Sequence, residues 1–392
     1  MKKAVMYGAG NIGRGFIGKV FSESGYEVCF LDIDQVVIQA LCKNKSYTVR
    51  TVSNEENFDA IVRNVYGVDA GSKQAITEIA TSDMMATSVG VNVLPRIAPN
   101  LALGIRKRIE DKGGPLNILL AENQLHVDQL MRDLIYQELS VDERRWADEN
   151  LGLVEVSIGR MIPPLTSVEK EKDPLLIAVE PYCALPADSL GFKGAIPDLV
   201  GLIPFTPFDF YVKRKLFLHN MGHAVCAYLG YQKGYIYIAE AIEDPQVYAV
   251  VSQAMEEVAQ ALHKEYPQIP FAEIEANKKD LLLRFRNRAL KDTIFRVAGD
   301  PKRKLRNDDR LIGAALYCLS QDVATDCIVA GIVAAYIYEN PLDQSSVELQ
   351  ELIAKSGLEE ALDIVSGIKK ESPLGKKILD KMRVTGVVEQ RD

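Results

Sequence analysis

The sequence predicts an α/β protein: an N-terminal doubly wound domain at residues 1–192, followed by a mostly α-helical C-terminal domain at residues 193–392. Three observations carry this. The chain opens on a short apolar run that passes through a glycine turn into a helical pattern. Strand-like and helical patterns then alternate to about residue 180, as in a mostly parallel sheet with helices on its faces. Beyond the stretch GFKGAIPDLVGLIPFTPF, residues 191–208, helical patterns dominate. A chain of 392 residues is also too long for one ordinary core.

The elements follow in order. Residues 4–7 read as a strand and 11–24 as a helix with Ile12, Phe16, Val20 and Phe21 on one face. Residues 28–31 form a second apolar strand that ends at Asp32, which completes a βαβ unit. A short helix at 35–41 precedes extended segments at 47–53 and 61–65. Helix 72–80, strand 84–89, helix 94–112 and strand 117–120 come next, then a further helix and strands at 154–158 and 177–179. In the second half Thr206 and Pro207 read as a cap and first turn for one long helix over 208–229. The tail VVEQRD reads as frayed.

Composition narrows the function classes. The net charge of −8 argues against nucleic acid or an anionic membrane as the main partner. The apolar run behind Met1-Lys2-Lys3 is too short for a secretion signal. No apolar run approaches the roughly 20 residues of a membrane-spanning helix. Six scattered cysteines without a CxxC pair suggest free, mostly buried thiols in a reducing cytoplasm. The four histidines form no HExxH and no Cys/His cluster, so a dedicated metal site is not expected.

The glycines Gly8, Gly10 and Gly13 follow a strand and open a helix, and Asp32 lies 19 residues past Gly13. This is the spacing of a Rossmann-type dinucleotide site. Gly8 permits the tight turn, Gly10 lets the backbone approach a pyrophosphate, and Gly13 lets the helix pack closely. Asn11 and Ile12 begin the helix whose free N–H groups and positive end suit phosphates. Asp32 would accept ribose hydroxyls and repel a 2′-phosphate, which favours NAD over NADP. Residues Thr87, Ser88, Val89 and Gly90 leave a strand at the expected ligand crevice, either lining the cofactor or forming an ordinary strand-to-helix turn.

In KRKLFLHNMGHAV, residues 213–225, a helix at about 100° per residue sets Lys215 at 0°, His219 near 40°, His223 near 80° and Asn220 near 140°. A lysine, an amide and a histidine then share one sector, or the sector is the wet side of a partly buried helix. The stretch FRVAGDPKRKLRNDDRLI, residues 295–312, gathers Arg296, Lys302, Arg303, Lys304, Arg306 and Arg310. Its forks suit a phosphate or carboxylate, or it is a solvated turn with ion pairs to Asp308 or Asp309.

The chain resembles the polyol-specific long-chain dehydrogenase/reductase family, the mannitol dehydrogenase family. YGAGNIGRGFIGKVF, LDIDQVVIQAL, TSVGVNVLPRIAP, PLNILLAENQ, FKGAIP, KRKLFLHNMGHA and DPKRKLRNDDRLI carry the resemblance in order across nearly the whole length. The Lys-x4-Asn-x2-His spacing of Lys215, Asn220 and His223 is the family's specific mark. The resemblance implies metal-independent, NAD-dependent oxidation of a secondary alcohol, with Lys215 as base. It implies Asn123 and Asn220 as donors to the developing alkoxide, His223 orienting the substrate, and Arg303 and Lys304 near its anionic end. The implied reaction interconverts D-mannitol 1-phosphate and D-fructose 6-phosphate in the cytoplasm, and the implied state is a monomer.

Two positions depart from the family pattern. Gly159 stands where an aspartate precedes Arg160, which leaves that arginine without its expected neighbour. His219 occupies a position where a small or neutral polar residue is expected, and it joins Arg160 as a candidate substrate contact. The alternative is the same chemistry on another polyol or on a hexuronate. A different class, a dinucleotide sensor without catalysis, is disfavoured by the presence of Lys215, Asn123, Asn220 and His223 together.

Overall fold

The computed structural model describes residues 1–122, 124 and 126–384. The chain forms two compact units, Met1–Tyr211 and Val212–Asp392. Eleven strands occur among the described residues, all in the first unit. They are β1 (Lys2–Tyr7), β2 (Tyr26–Asp32), β3 (Ser46–Thr51), β4 (Phe58–Arg63), β5 (Val65–Asp69) and β6 (Met84–Thr87), then β7 (Leu116–Leu120), β8 (Leu151–Glu155), β9 (Ile177–Val179), β10 (Leu185–Asp188) and β11 (Leu202–Phe205).

Six strands make one parallel sheet in the order β5-β2-β1-β6-β7-β8. Both faces are covered, which explains why the strands read as continuous apolar runs. Ala4, Met6, Val28 and Phe30 enter one core, while Val5, Tyr7, Cys29 and Leu31 enter the other. The first face packs on the helix Gly18–Glu23 and on a small sheet ordered β4-β3-β9. The second packs on the helices Lys73–Ala80, Leu94–Glu110 and Val127–Glu138. The chain crosses from one side of β1 to the other between β2 and β6. Ligands of such sheets bind at the carboxyl ends beside this switch.

The extended stretch expected at 61–65 belongs to two strands in different sheets. Asn64, left-handed at φ 57°, turns the chain between β4 and β5. The Pro- and Gly-rich stretch at 191–208 groups with the first unit, where β11 pairs in parallel with β10. Three of the cysteines, Cys29, Cys226 and Cys318, are buried, whereas Cys42 and Cys183 are exposed.

The second unit is helical. Its central helix, Met221–Gln232, is apolar on nearly every side and is buried among Pro245–Glu265, Asp326–Tyr336 and Ile294–Ala298. The expected helix over 208–229 does not start at Pro207. Residues after β11 turn first, with the Phe210 N–H on Pro207 O and the Tyr211 N–H on Phe208 O, and the helix begins at Asp209. It is also not one regular helix: Arg214–Asn220 is a π-helical turn ahead of Met221. Among the described residues no helix is long and apolar enough to cross a membrane.

Candidate active site

In the first unit the structure gathers the predicted glycine turn, Asp32 and the 88–90 segment at the carboxyl ends of β1, β2 and β6. Gly8 has φ +101°, and a Cβ there would lie 2.5 Å from Ser88 O. A Cβ on Gly13 would lie 1.9 Å from Gly8 O, so the turn closes only around a bare Cα. Gly10 is exposed, and a Cβ on it would meet nothing within 4 Å. Ile12 packs on the core below, while Asn11 is exposed and lines a cavity of about 340 Å³ with Arg14, Asp34 and Lys170. The helix opens with a π turn, Gly13–Ile17, whose Gly18 N–H reaches Gly13 O.

Asp32 holds the turn together. Its Oδ2 accepts the Ala9 N–H at 2.6 Å, and its Oδ1 accepts Ile33 and Asp34 N–H at 2.7 and 3.0 Å. Ser88 N–H bonds to Tyr7 O. The next two amides, Val89 and Gly90, bond at 2.9 and 2.8 Å to the two oxygens of Glu122, a buried carboxylate just past β7. Thr87 Oγ1, at the end of β6, is buried with no hydrogen-bond partner among the described residues. In the sequence Glu122 carries no signal beyond being an acid two residues past a mainly apolar strand. Asn123, the next residue, lies outside the described residues.

Arg160 turns into the first unit. Its Nε donates to Glu180 O at 2.9 Å, its Nη1 donates to Gly15 O at 3.2 Å, and its guanidinium covers the Phe16 ring. The buried Glu180 carboxylate accepts the Met161 N–H at 2.5 Å and supplies a nearby negative charge. Gly159 faces the Tyr182 ring, 3.2 Å from where its Cβ would be.

In the second unit Lys215, His219 and Asn220 sit on the π turn, and His223 follows on Met221–Gln232. A π turn bonds residue i to i+5. Lys215 and Asn220 are five apart, so this turn stacks them on one face, where a regular α-helix holds them about 140° apart. Lys215 is half-buried, and desolvation, then the Arg310 charge, pulls its ammonium down to about 8. His219 is buried. Desolvation first, then Arg284, His223, Lys215 and Arg310, pushes its pKa well below the ordinary value, so it is neutral near pH 7. The His223 ring stacks on Phe285 at 4.9 Å and 12°, and its Nε2 lies 3.0 Å from Asp292 Oδ2.

Most of the basic stretch is neutralised. Arg296 pairs with Asp292, Lys302 with Glu348, Arg303 with Asp300 and Asp309, Arg306 with Asp308, and Arg310 with Asp309. Lys304 differs. It is buried, and among the described residues its Nζ has no ion-pair or hydrogen-bond partner. Desolvation, then Arg310 and Arg303, pulls its ammonium down to about 7.

Comparison with known proteins agrees with this division. The profile of the mannitol dehydrogenase Rossmann domain matches residues 2–201, and that of the mannitol dehydrogenase C-terminal domain matches residues 208–384. Among solved structures, Pseudomonas fluorescens mannitol 2-dehydrogenase, in a ternary complex with NAD and D-mannitol, superposes with a TM-score of 0.76. It is 15% identical, and the match covers 98% of this chain and 92% of that one. A substrate-free D-sorbitol dehydrogenase gives 0.80 at 14% identity, over 98% and 94%. At these identities the likeness is one of fold. The two domain profiles together span nearly the whole sequence, and the chain belongs to the mannitol dehydrogenase family.

Proposed function

We propose that this chain is an NAD-dependent, metal-independent mannitol-1-phosphate 5-dehydrogenase, interconverting D-mannitol 1-phosphate and D-fructose 6-phosphate. The observation that carries the reading is Lys215. A desolvated lysine, flanked by a second cation and stacked with Asn220 on a π turn, is tuned toward proton transfer near neutral pH. The first unit fits the cofactor. The backbone at Gly10 is open to a pyrophosphate, and Thr87 has a buried hydroxyl in need of a partner. Asp32 spends three of its roughly four lone pairs on backbone amides, which leaves one on Oδ2 for a ribose hydroxyl. A carboxylate there disfavours a 2′-phosphate. Gly8, Gly10, Asn11, Ile12, Gly13, Asp32, Ser88, Val89 and Gly90 are the proposed cofactor contacts.

NAD, when bound, takes the hydride from the substrate carbon. The chain handles the proton. In alcohol oxidation the Lys215 amine takes the hydroxyl proton, and in ketone reduction the ammonium returns it to the carbonyl oxygen. Asn123 and Asn220 are the proposed donors to that oxygen as it gains alkoxide character. His223 orients the substrate through a hydrogen bond, with the neutral His219 beside it. Lys304, without a carboxylate of its own, is the proposed partner of the substrate phosphate, with Arg303 behind it.

The test is NADH consumption with fructose 6-phosphate, fructose, tagaturonate and fructuronate side by side, in the wild type and in Lys215→Ala. Preference for fructose 6-phosphate, lost in the variant, supports the proposal. Preference for a uronate moves the assignment to a hexuronate reductase with the same mechanism. Tight NADH binding without turnover of any of them sinks the substrate assignment.

A further inference from the structure

Asp292 is a carboxylate that the reading above leaves unused. It is buried, and the main chain fixes it: Asp292 O accepts the Ile238 N–H, and the neighbouring Thr293 bridges to Tyr237. Its two oxygens have separate partners. Oδ1 takes Nε and Nη2 of Arg296, at 2.7 and 2.5 Å, while Oδ2 faces His223 Nε2 at 3.0 Å. Phe285 lies flat against the imidazole on its other side. The contact is close, but the ring N–H does not aim squarely at Oδ2. Contacts of this kind commonly tighten only once a ligand is seated.

We infer that Asp292, clamped by Arg296, is a positioning residue that holds the His223 ring with its proton on Nε2 and leaves Nδ1 as the acceptor offered to a substrate hydroxyl. The inference rests on His223 being the substrate-orienting residue. The chemistry follows from the ring's two nitrogens. A neutral imidazole has one donor and one acceptor, and the nitrogen facing a carboxylate carries the proton. Arg296 matters because its fork keeps Oδ1 occupied, so the carboxylate cannot swing away from the ring. Burial acts to raise the Asp292 pKa, but His223 and Arg296 outweigh it, and the net shift is downward, toward the ionised acceptor. The other groups facing this site are His219, with ring centroids 6.3 Å apart, and the Cys226 thiol, which burial first and then Asp292 push up. The charges of Arg284, Lys215 and Arg310 also act on His219, after its burial.

The Asp292→Asn change tests this with little change of shape. With Arg296 still donating to the amide oxygen, the amide NH2 faces Nε2, which must then give up its proton to Nδ1. The expected result is a fall in kcat for fructose 6-phosphate reduction on the order of 10- to 100-fold, with NADH affinity unchanged. Nitrogen NMR of histidine-labelled enzyme, with His223 assigned through a His223→Gln variant, reads the tautomer directly. The wild type is expected to carry the proton on Nε2 and Asp292→Asn to carry it on Nδ1. A wild-type ring protonated on Nδ1 alone overturns the inference, and so does an Asp292→Asn enzyme with wild-type kcat and KM. If no sugar phosphate is turned over, the proposed function fails, but the wild-type tautomer still decides the role of Asp292. It also decides it if the variant does not fold.

Discussion

Lys215→Met separates the chemistry of the proposed base from its structural cost. At an ordinary value of 10.5, about one lysine in three thousand is a free amine at pH 7. At about 8 the fraction is about one in eleven. Alcohol oxidation needs the amine, so its kcat/KM with mannitol 1-phosphate should climb with pH and level off above about 8. Ketone reduction needs the ammonium and should fall through the same region. Removing the group should cost turnover about 10²–10⁴-fold in both directions.

Stability should move the other way. The folded chain releases the Lys215 proton near 8 and the unfolded chain near 10.5, so between these values the unfolded state binds more protons. The cost of holding the ammonium is therefore full below about pH 8 and fades toward 10.5. Allowing for the water that still reaches a half-buried amine, Lys215→Met should gain on the order of 1–2 kcal/mol at neutral pH. Initial rates across roughly pH 6 to 10 and paired thermal melts measure both effects. A flat oxidation profile, or a Lys215→Met protein that is inactive but clearly less stable, would refute the argument that desolvation tunes this lysine.

Three further outcomes follow from the geometry. Gly13→Ala puts a methyl 1.9 Å from Gly8 O and should destabilise the first unit by about 1–3 kcal/mol while weakening NADH binding, read by melting and fluorescence titration. Glu122→Gln replaces one of the two acceptors that hold Val89 and Gly90 with a donor. It should cost about 1–3 kcal/mol and raise the NADH Kd, and a wild-type Kd and melting point would show that the pair of bonds is idle. Lys304→Met should cut the preference for fructose 6-phosphate over fructose by roughly tenfold or more, as expected for a lost charge-assisted bond, with little effect on fructose itself.

The first half of the molecule was legible because its signals are local. Gly13 is required by a backbone contact with Gly8 O five residues away, and Gly8 itself by its positive φ, so their spacing reports the turn, although Gly8 also abuts the distant Ser88 O. Strands buried on both faces announce themselves as apolar runs, and 28–31 and 117–120 fall within β2 and β7. What stayed hidden depends on partners distant in sequence. Glu122 holds amides more than thirty positions upstream, and Asp292 meets a histidine on a helix almost seventy positions earlier. Neither residue differs, in the sequence, from any other acid beside an apolar run.

The 213–225 helix fails to yield to periodicity for a different reason. The wheel assumes a constant turn, and a single π turn breaks that assumption where the polar residues sit. Drawn at 100° per residue, Asn220 is the outlier of the set. With the i→i+5 bond it stacks under Lys215. The basic stretch at 295–312 poses a similar problem of counting. Six cations suggest an anion site, but Asp300, Asp308 and Asp309 are interleaved with them, and Asp292 and Glu348 reach in from outside. A sum over sequence cannot tell which charges cancel. Subtracting each cation that holds a carboxylate leaves Lys304, the most deeply buried of the six. A buried ammonium with carboxylates nearby but none bonded to it is costly for the chain alone. On the proposed function a substrate phosphate would remove that cost, and so the least favourable charge of the stretch is the one that reading assigns to select the substrate.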